Sequence, residues 1–302
     1  KIFQKQEDRS MKIFDIYYRW ILVIPPIILL LLLTVYPTID ALYTSFHQHD
    51  AMIPEKPFIW FDNYTNLIFE DERYQNALYV TLVFEVITIS IQMLLGLFLA
   101  FLFSGEFKFK KIITSIYLIP MMVSPVVVGF TARIAFTNDF GFIPQIIDII
   151  LQKETGIAWL SNGFWARVVI ILADTWQWTP FVFLIIFSGI MSLPTEPIES
   201  ARVDGANSWQ IALYIVLPQL RYILLVTFLI RSLDLLKLFD VILLTTRAGP
   251  GIQTETISVY LYELAFRFWS MGNATAGSFI LLIIIIIFTS TLIRFITGYE
   301  NK

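Results

Sequence analysis

The 302-residue chain has no cysteine, which excludes a disulfide framework, a thiolate nucleophile and a Cys-based metal site. Histidine is almost as scarce. His47 and His49 have neither cysteine nor a carboxylate cluster nearby, so they read as solvated residues at an outer boundary and not as metal ligands. Only 15% of residues are charged, whereas soluble domains carry about 25%. The net charge of −3, with no basic tract, excludes a nucleic-acid partner. Gly-x-x-x-x-Gly-Lys-Ser/Thr, His-Glu-x-x-His and Gly-x-Ser-x-Gly are all missing. The chain therefore cannot cradle a nucleotide phosphate, and it offers no recognisable hydrolytic centre.

What it has instead is apolar length: 57% hydrophobic residues, 16% aromatics and a mean hydropathy of +0.72. About 20 apolar residues cross a bilayer as a helix, and six stretches qualify, near 20–46, 77–103, 112–132, 165–193, 220–246 and 272–293. The first is too long for a secretory signal and is expected to be retained. Backbone in hydrocarbon must satisfy its own hydrogen bonds, so these stretches are read as helices and the fold class as an all-α polytopic membrane protein. An even count places both termini on one side. Lysines and arginines number twelve on the side of 1–19, 104–111, 191–222 and the tail from Arg294, against seven on the other. The first side is therefore cytoplasmic. The organisation follows: a cytoplasmic segment 1–19, a transmembrane domain 20–298 and a tail 299–302.

One polar insertion, 194–218, falls on the cytoplasmic side between the fourth and fifth spans. "LPTEPIESARVDGANSW" has the marks of a short helix. Thr195 suits a cap, Pro197 suits the first turn, and Glu196 and Glu199 lie at the positive end of the dipole. Gly205 suits the left-handed residue that stops it, and Asn207 or Ser208 can cap a second helix. From physics alone this is an amphipathic connector on the membrane face.

The spacing says more. Glu199-Ser200-Ala201, Gly205 six residues after the glutamate, then Ile215 and Leu217-Pro218 resemble the EAA loop of binding-protein-dependent ABC importer permeases. Ser200 stands where that motif has its middle alanine. Downstream, "LKLFDVILLTTRAGPGIQTETISVYLYELAF" (236–266) is similar to the carbohydrate branch of the family. Phe239-Asp240, Gly249-Pro250, Thr254, Thr256, Tyr260, Tyr262 and Ala265-Phe266 match, while Arg247-Ala248 replaces residues commonly glycine. "DTWQWTPF" (174–181) resembles the fourth span of that branch.

The resemblance implies the membrane subunit of an ATP-driven importer in a bacterial plasma (inner) membrane. Its implied partners are a second permease subunit, two cytoplasmic ATPase subunits and an external solute-binding protein that delivers a carbohydrate. ATP and Mg are used by the ATPase subunits, and no cofactor by this chain. Glu199, Ser200, Ala201, Asp204 and Gly205 would couple to the ATPase. A secondary transporter or channel driven by an ion gradient is the alternative.

Within the spans, Arg231, Asp234, Lys237 and Asp240 recur every three residues, which on a helix makes neighbours and lets Lys237 reach both aspartates. Charges at this depth face a protein interior or an aqueous cavity. Asp234 and Lys237 therefore read as the wall of a pathway or as an ion-pair network, and Asp240, part of the family motif, as structural. Trp176, Gln177 and Trp178 offer aromatic faces and hydrogen-bonding groups suited to sugar rings, although adjacent positions cannot all face one path. Glu85 and Gln92, seven apart on the second span, read as hydrogen bonding between helices. The segment 47–76 reads as an interfacial belt and, by the resemblance, as a landing surface for the binding protein.

Because the chain lacks cysteine, its orientation is testable directly. A cysteine at Glu196 is expected to react with an impermeant maleimide only from the cytoplasmic side, and one at Glu70 only from outside. The reverse pattern would overturn the orientation.

Overall fold

The computed structural model describes residues 20–50 and 52–298, the side chains of 295–298 excepted, so segments 1–19 and 299–302 lie outside the described residues. Four helices are long and apolar enough to cross a membrane unbroken: α1 (Trp20–Ser45), α2 (Glu72–Ser104), α6 (Gly163–Met191) and α12 (Met271–Gly298). Two further crossings are bent pairs. The α3 (Lys110–Met122) and α4 (Pro125–Phe136) helices meet at 93°, and α8 (Ser208–Gln219) and α9 (Arg221–Leu235) meet at 67°. Counting each pair once gives the six crossings predicted. Between them lie α5 (Phe142–Leu151), α7 (Glu196–Val203), α10 (Asp240–Thr245) and α11 (Ile257–Phe266). Among the described residues the only β pairing is two isolated bridges, His47 with Phe58 and Asp50 with Ser270.

The chain divides into two compact units. One comprises residues 1–66 and 264–279. Here Asn63 donates from Nδ2 to the Ser45 and His47 carbonyls, 2.8 and 2.9 Å away, closing the segment after α1. His47 is buried, with Nδ1 2.8 Å from the Tyr43 carbonyl, and not solvated as the sequence suggested. Its partner lies four residues back, in the last turn of α1, a contact that spacing alone allowed.

The second unit, residues 67–263 and 280–302, is built around α6. Asn162 caps this helix by accepting from the Phe164 and Trp165 N–H groups, and Asp71 caps α2 by accepting from Tyr74. The α2 and α6 helices pack closely because Gly96 has no side chain. A Cβ there would lie 2.6 Å from Val182 Cγ1 and 3.1 Å from the Phe183 nitrogen. One core cluster joins α2, α4, α6 and α10 through Phe84, Val128, Ile170 and Val241; a second joins α2, α6 and α8 through Ala100, Phe183, Ile186 and Val216.

The third and fifth crossings break for local reasons. Pro120 and Pro125 flank the extended residue Val123, so α3 tightens into a 3₁₀ turn and α4 starts afresh with proline in its first turn. The fifth crossing was predicted as one helix over 220–246. It ends instead at Leu235, turns through Lys237–Phe239 and resumes at Asp240. Thr256 donates to the Leu238 carbonyl that the break exposes (2.8 Å).

A polar knot sits inside this apolar unit, between α2, α6 and α9. Arg231, 1% exposed, donates from Nη2 to Asp174 Oδ2 (2.8 Å) and from Nε to Gln92 Oε1 (2.9 Å). Gln92 in turn donates from Nε2 to Asp174 Oδ2 (2.7 Å). The guanidinium lies over the Trp178 ring, 5.0 Å from its centroid. Gln92 thus makes the inter-helix hydrogen bonds read from the sequence. Glu85 is buried too and faces Ser232 of α9, but among the described residues its carboxylate oxygens make no hydrogen bond of ordinary geometry. Removing one partner of a buried pair costs about 3–5 kcal/mol, because the other charge is left uncompensated. Arg231→Met or Asp174→Leu alone is expected to lower the melting temperature of the detergent-solubilised protein sharply, and the double variant to recover most of the loss. Single variants as stable as the parent would show that the knot does not hold these helices.

Candidate functional site

The polar insertion 194–218 folds as two short helices. Thr195 precedes α7 but its side chain caps nothing, contrary to the sequence reading; its carbonyl instead accepts from the Glu199 N–H (2.9 Å). Termination follows residue chemistry more closely. Asp204 ends the helix and Gly205 takes φ +85°, a conformation that costs a residue with a Cβ about 1–2 kcal/mol. The Ala206 N–H then reaches the Ala201 carbonyl (2.9 Å) and the Gly205 N–H the Arg202 carbonyl (3.1 Å), the paired bonds of a Schellman stop. Asn207 immediately opens α8 with a capping box, exchanging hydrogen bonds with Gln210.

The two faces of α7 differ. Ile198 and Ala201 pack with Ala206 onto the core cluster around Phe183 and Leu220. Glu199, Ser200, Asp204 and Gly205 are exposed, with Glu196, Arg202 and Val203 beside them. Of the five residues marked by the motif, Ala201 therefore anchors the helix from below and the other four face outward. Among the described residues, no atom beyond Gly205 and its two chain neighbours lies within 4 Å of where a Gly205 Cβ would stand. An open groove of about 330 Å³ runs past this point, lined by Asp204, Gly205, Ala206, Gln210, Tyr214 and Ile215. Trp209 and Tyr214 add exposed aromatic surface along α8. An acidic, outward-facing helix thus stands beside an open groove.

The intramembrane residues distribute differently from the sequence expectation. Asp234 lies 3.7 Å from Arg231 Nη1, one turn back on α9, and its side chain is half exposed. Lys237 and Asp240 are exposed, and no ion pair joins Lys237 to either aspartate among the described residues. The helix stops before Lys237, so the periodic stripe that would align the four charges does not exist. The carboxylate that compensates Arg231 is Asp174, on another helix. Sequence reasoning missed this pairing. The signal was available: an arginine at membrane depth requires a carboxylate, and Asp174 is the only acidic residue of α6.

The three adjacent residues of α6 separate as helical geometry demands. Trp176 is exposed, Trp178 is half-buried under Arg231, and Gln177 is fully buried. Gln177 donates from Nε2 to the Val123 carbonyl (2.7 Å), satisfying backbone freed at the break between α3 and α4. It is thus removed from any pathway wall, a correction to its predicted role.

On the far side, the turn 246–256 is held tightly. Arg247 and Ala248, standing where the resemblance has glycines, adopt φ of 52° and 68°. Thr254 steadies them by donating to the Gly249 carbonyl (2.9 Å) and pairing with the Thr246 hydroxyl (2.8 Å). Arg73 at the head of α2 grips fully buried Glu255 through Nε (2.8 Å) and Nη2 (2.5 Å), and also holds Glu263. Arg167 at the head of α6 donates to the Gln253 carbonyl (2.8 Å).

Comparison with known proteins accords with this geometry. Residues 92–301 match the family model described as the inner membrane component of binding-protein-dependent transport systems. A trehalose/maltose transport system permease protein, MalF of Thermococcus litoralis, is 28% identical over 280 residues, 92% of each chain. A probable ABC transporter permease protein of Sinorhizobium fredii, y4oQ, is 32% identical over 89% of this chain and 86% of its own. Among solved structures, a bacterial ABC transporter involved in importing the acidic polysaccharide alginate superposes with a TM-score of 0.82 over 99% of both chains, at 22% identity, a likeness of fold. With its polar helix pair, its bent crossings and these matches, the chain belongs to the family of inner membrane components of binding-protein-dependent transport systems.

Proposed function

We propose that the chain is the permease subunit of an ATP-driven importer that moves a carbohydrate delivered by an external solute-binding protein. The observation that carries this reading is α7: a polar, capped helix facing outward from a membrane domain that has no nucleotide loop of its own. Two ATPase subunits, using ATP and Mg, supply the work, and a second permease subunit completes the path. The α7 helix seats in a groove of the ATPase, with Glu199 and Asp204 against basic groups and Gly205 allowing backbone approach. Ala201 and Ile198 pass the resulting displacement to the core cluster beneath. A carbohydrate cargo is supported by the trehalose/maltose relative and by the resemblance of 236–266 to the sugar branch.

Gly205 isolates the coupling role. Asparagine tolerates the left-handed backbone, so Gly205→Asn preserves the bend and adds only a side chain to open space. Gly205→Asp does the same with a charge. Both variants are expected to insert and assemble normally in proteoliposomes yet lose coupling of ATP hydrolysis to uptake. Unchanged uptake would remove α7 from the coupling path.

The exposed residues Trp176 and Lys237 are assigned to the pathway with Asp234, whereas Asp240 stands in the first turn of α10, at the positive end of its dipole, and stays structural. Since Lys237 has no ion-pair partner among the described residues, Lys237→Met is expected to shift stability by no more than about 0.5 kcal/mol. Uptake is expected to fall about tenfold, the rate equivalent of one lost hydrogen bond to a charged group. A destabilised complex, or one transporting normally, would contradict the assignment.

A further inference from the structure

The α5 helix carries a surface that neither the coupling element nor the pathway uses. Its ten residues, "FIPQIIDIIL", present three separate stripes. Pro144 is buried, and Ile147 packs into the core cluster formed by Val128, Ala132, Trp159 and Val169. Gln145 and Asp148 fall together within about 60° of arc, on a second side. Phe142, Ile146, Ile149 and Ile150 fall within about 100° on a third. These last four are 54%, 47%, 74% and 70% exposed. A helix that met only protein and water would need two stripes. The third, wholly apolar and lacking any hydrogen-bonding side chain, needs a further medium.

Position identifies that medium. Only residues 137–141 separate α5 from the end of α4, a tether of about 17 Å at full stretch. Even that is folded into a turn, in which the Gly141 N–H donates to the Thr137 carbonyl (2.7 Å). The α5 helix is therefore held at the level where a membrane crossing ends. The approach to it is apolar and exposed as well, with Phe130 and Ile134 on α4 and Phe140 in the turn. The polar stripe fits the water side. Asp148 accepts from the Thr155 hydroxyl (2.7 Å) and N–H (2.9 Å), donors that hold its carboxyl below the usual carboxylate range. Lys153 and Glu154 follow, both exposed.

We infer that α5 is an interfacial helix whose Phe142, Ile146, Ile149 and Ile150 stripe is immersed in the acyl-chain boundary of the extracytoplasmic leaflet. Such helices bury their apolar face roughly 5–10 Å into the boundary region. This one anchors the outer end of the bent third crossing to lipid. The inference rests on the membrane fold and is independent of the cargo or the coupling partner.

The absence of cysteine makes the test clean. Spin labels at single cysteines replacing Ile149, Ile146 and Gln145 are to be compared in the full transporter in phosphatidylcholine nanodiscs. Collision with oxygen, which concentrates in lipid, is set against collision with a water-soluble nickel chelate. Labels at Ile149 and Ile146 are expected to favour oxygen severalfold, and the label at Gln145 to favour the chelate. A label at Ile149 shielded from both reagents would mean that another protein subunit covers the stripe, and one open to the chelate would mean that it faces water. Either result overturns the inference.

Discussion

Backbone in hydrocarbon has no water to turn to, and much of this chain can be understood as the consequence of that one constraint. Straight helices satisfy it internally, but transport domains need bends, and every bend releases carbonyl groups. Two of the breaks here are met by a side chain from a neighbouring helix or turn. Gln177 serves Val123 at the α3–α4 elbow, and Thr256 serves Leu238 where α9 stops. The bends are therefore fixed joints with specific hydrogen-bond partners. Replacing such a partner would strand a polar group in an apolar interior, which explains why polar residues persist on faces that appear to need only packing.

The two polar segments that join crossings are built differently. In the insertion 194–218, α7 and α8 close their ends with their own residues, a Schellman stop and a capping box, and leave acidic side chains exposed. The turn 246–256 is instead tied down by Arg73, Arg167 and Thr254. The first is held by its own neighbours, and the second is clamped from the heads of α2 and α6.

How much of this the sequence discloses depends on range. The caps of α7 and α8 are written in residues that touch their immediate neighbours, so Gly205 and Asn207 were readable. Thr195 was a plausible cap by composition, but its own backbone conformation keeps the side chain from the role. Four crossings were legible from apolar length, and the elbow at Pro120 and Pro125 was at least marked by proline. The stop after Leu235 was not, because "LKLF" contains neither proline nor glycine, and the break depends on Thr256 arriving from another segment. The four charges spaced by three were a true periodicity on a helix that ends too soon. Asp174 and Arg231 are 57 residues apart, and periodicity within one span cannot report a pairing between two.

That separation has a consequence for biogenesis. The ribosome delivers α6, carrying Asp174, well before α9, carrying Arg231, and each residue alone would be an unpaired ionisable group at membrane depth. Each crossing is therefore costlier to hold in lipid alone than beside the other, and the chain carries a built-in preference for assembling its fourth crossing against its fifth and against Gln92 on α2.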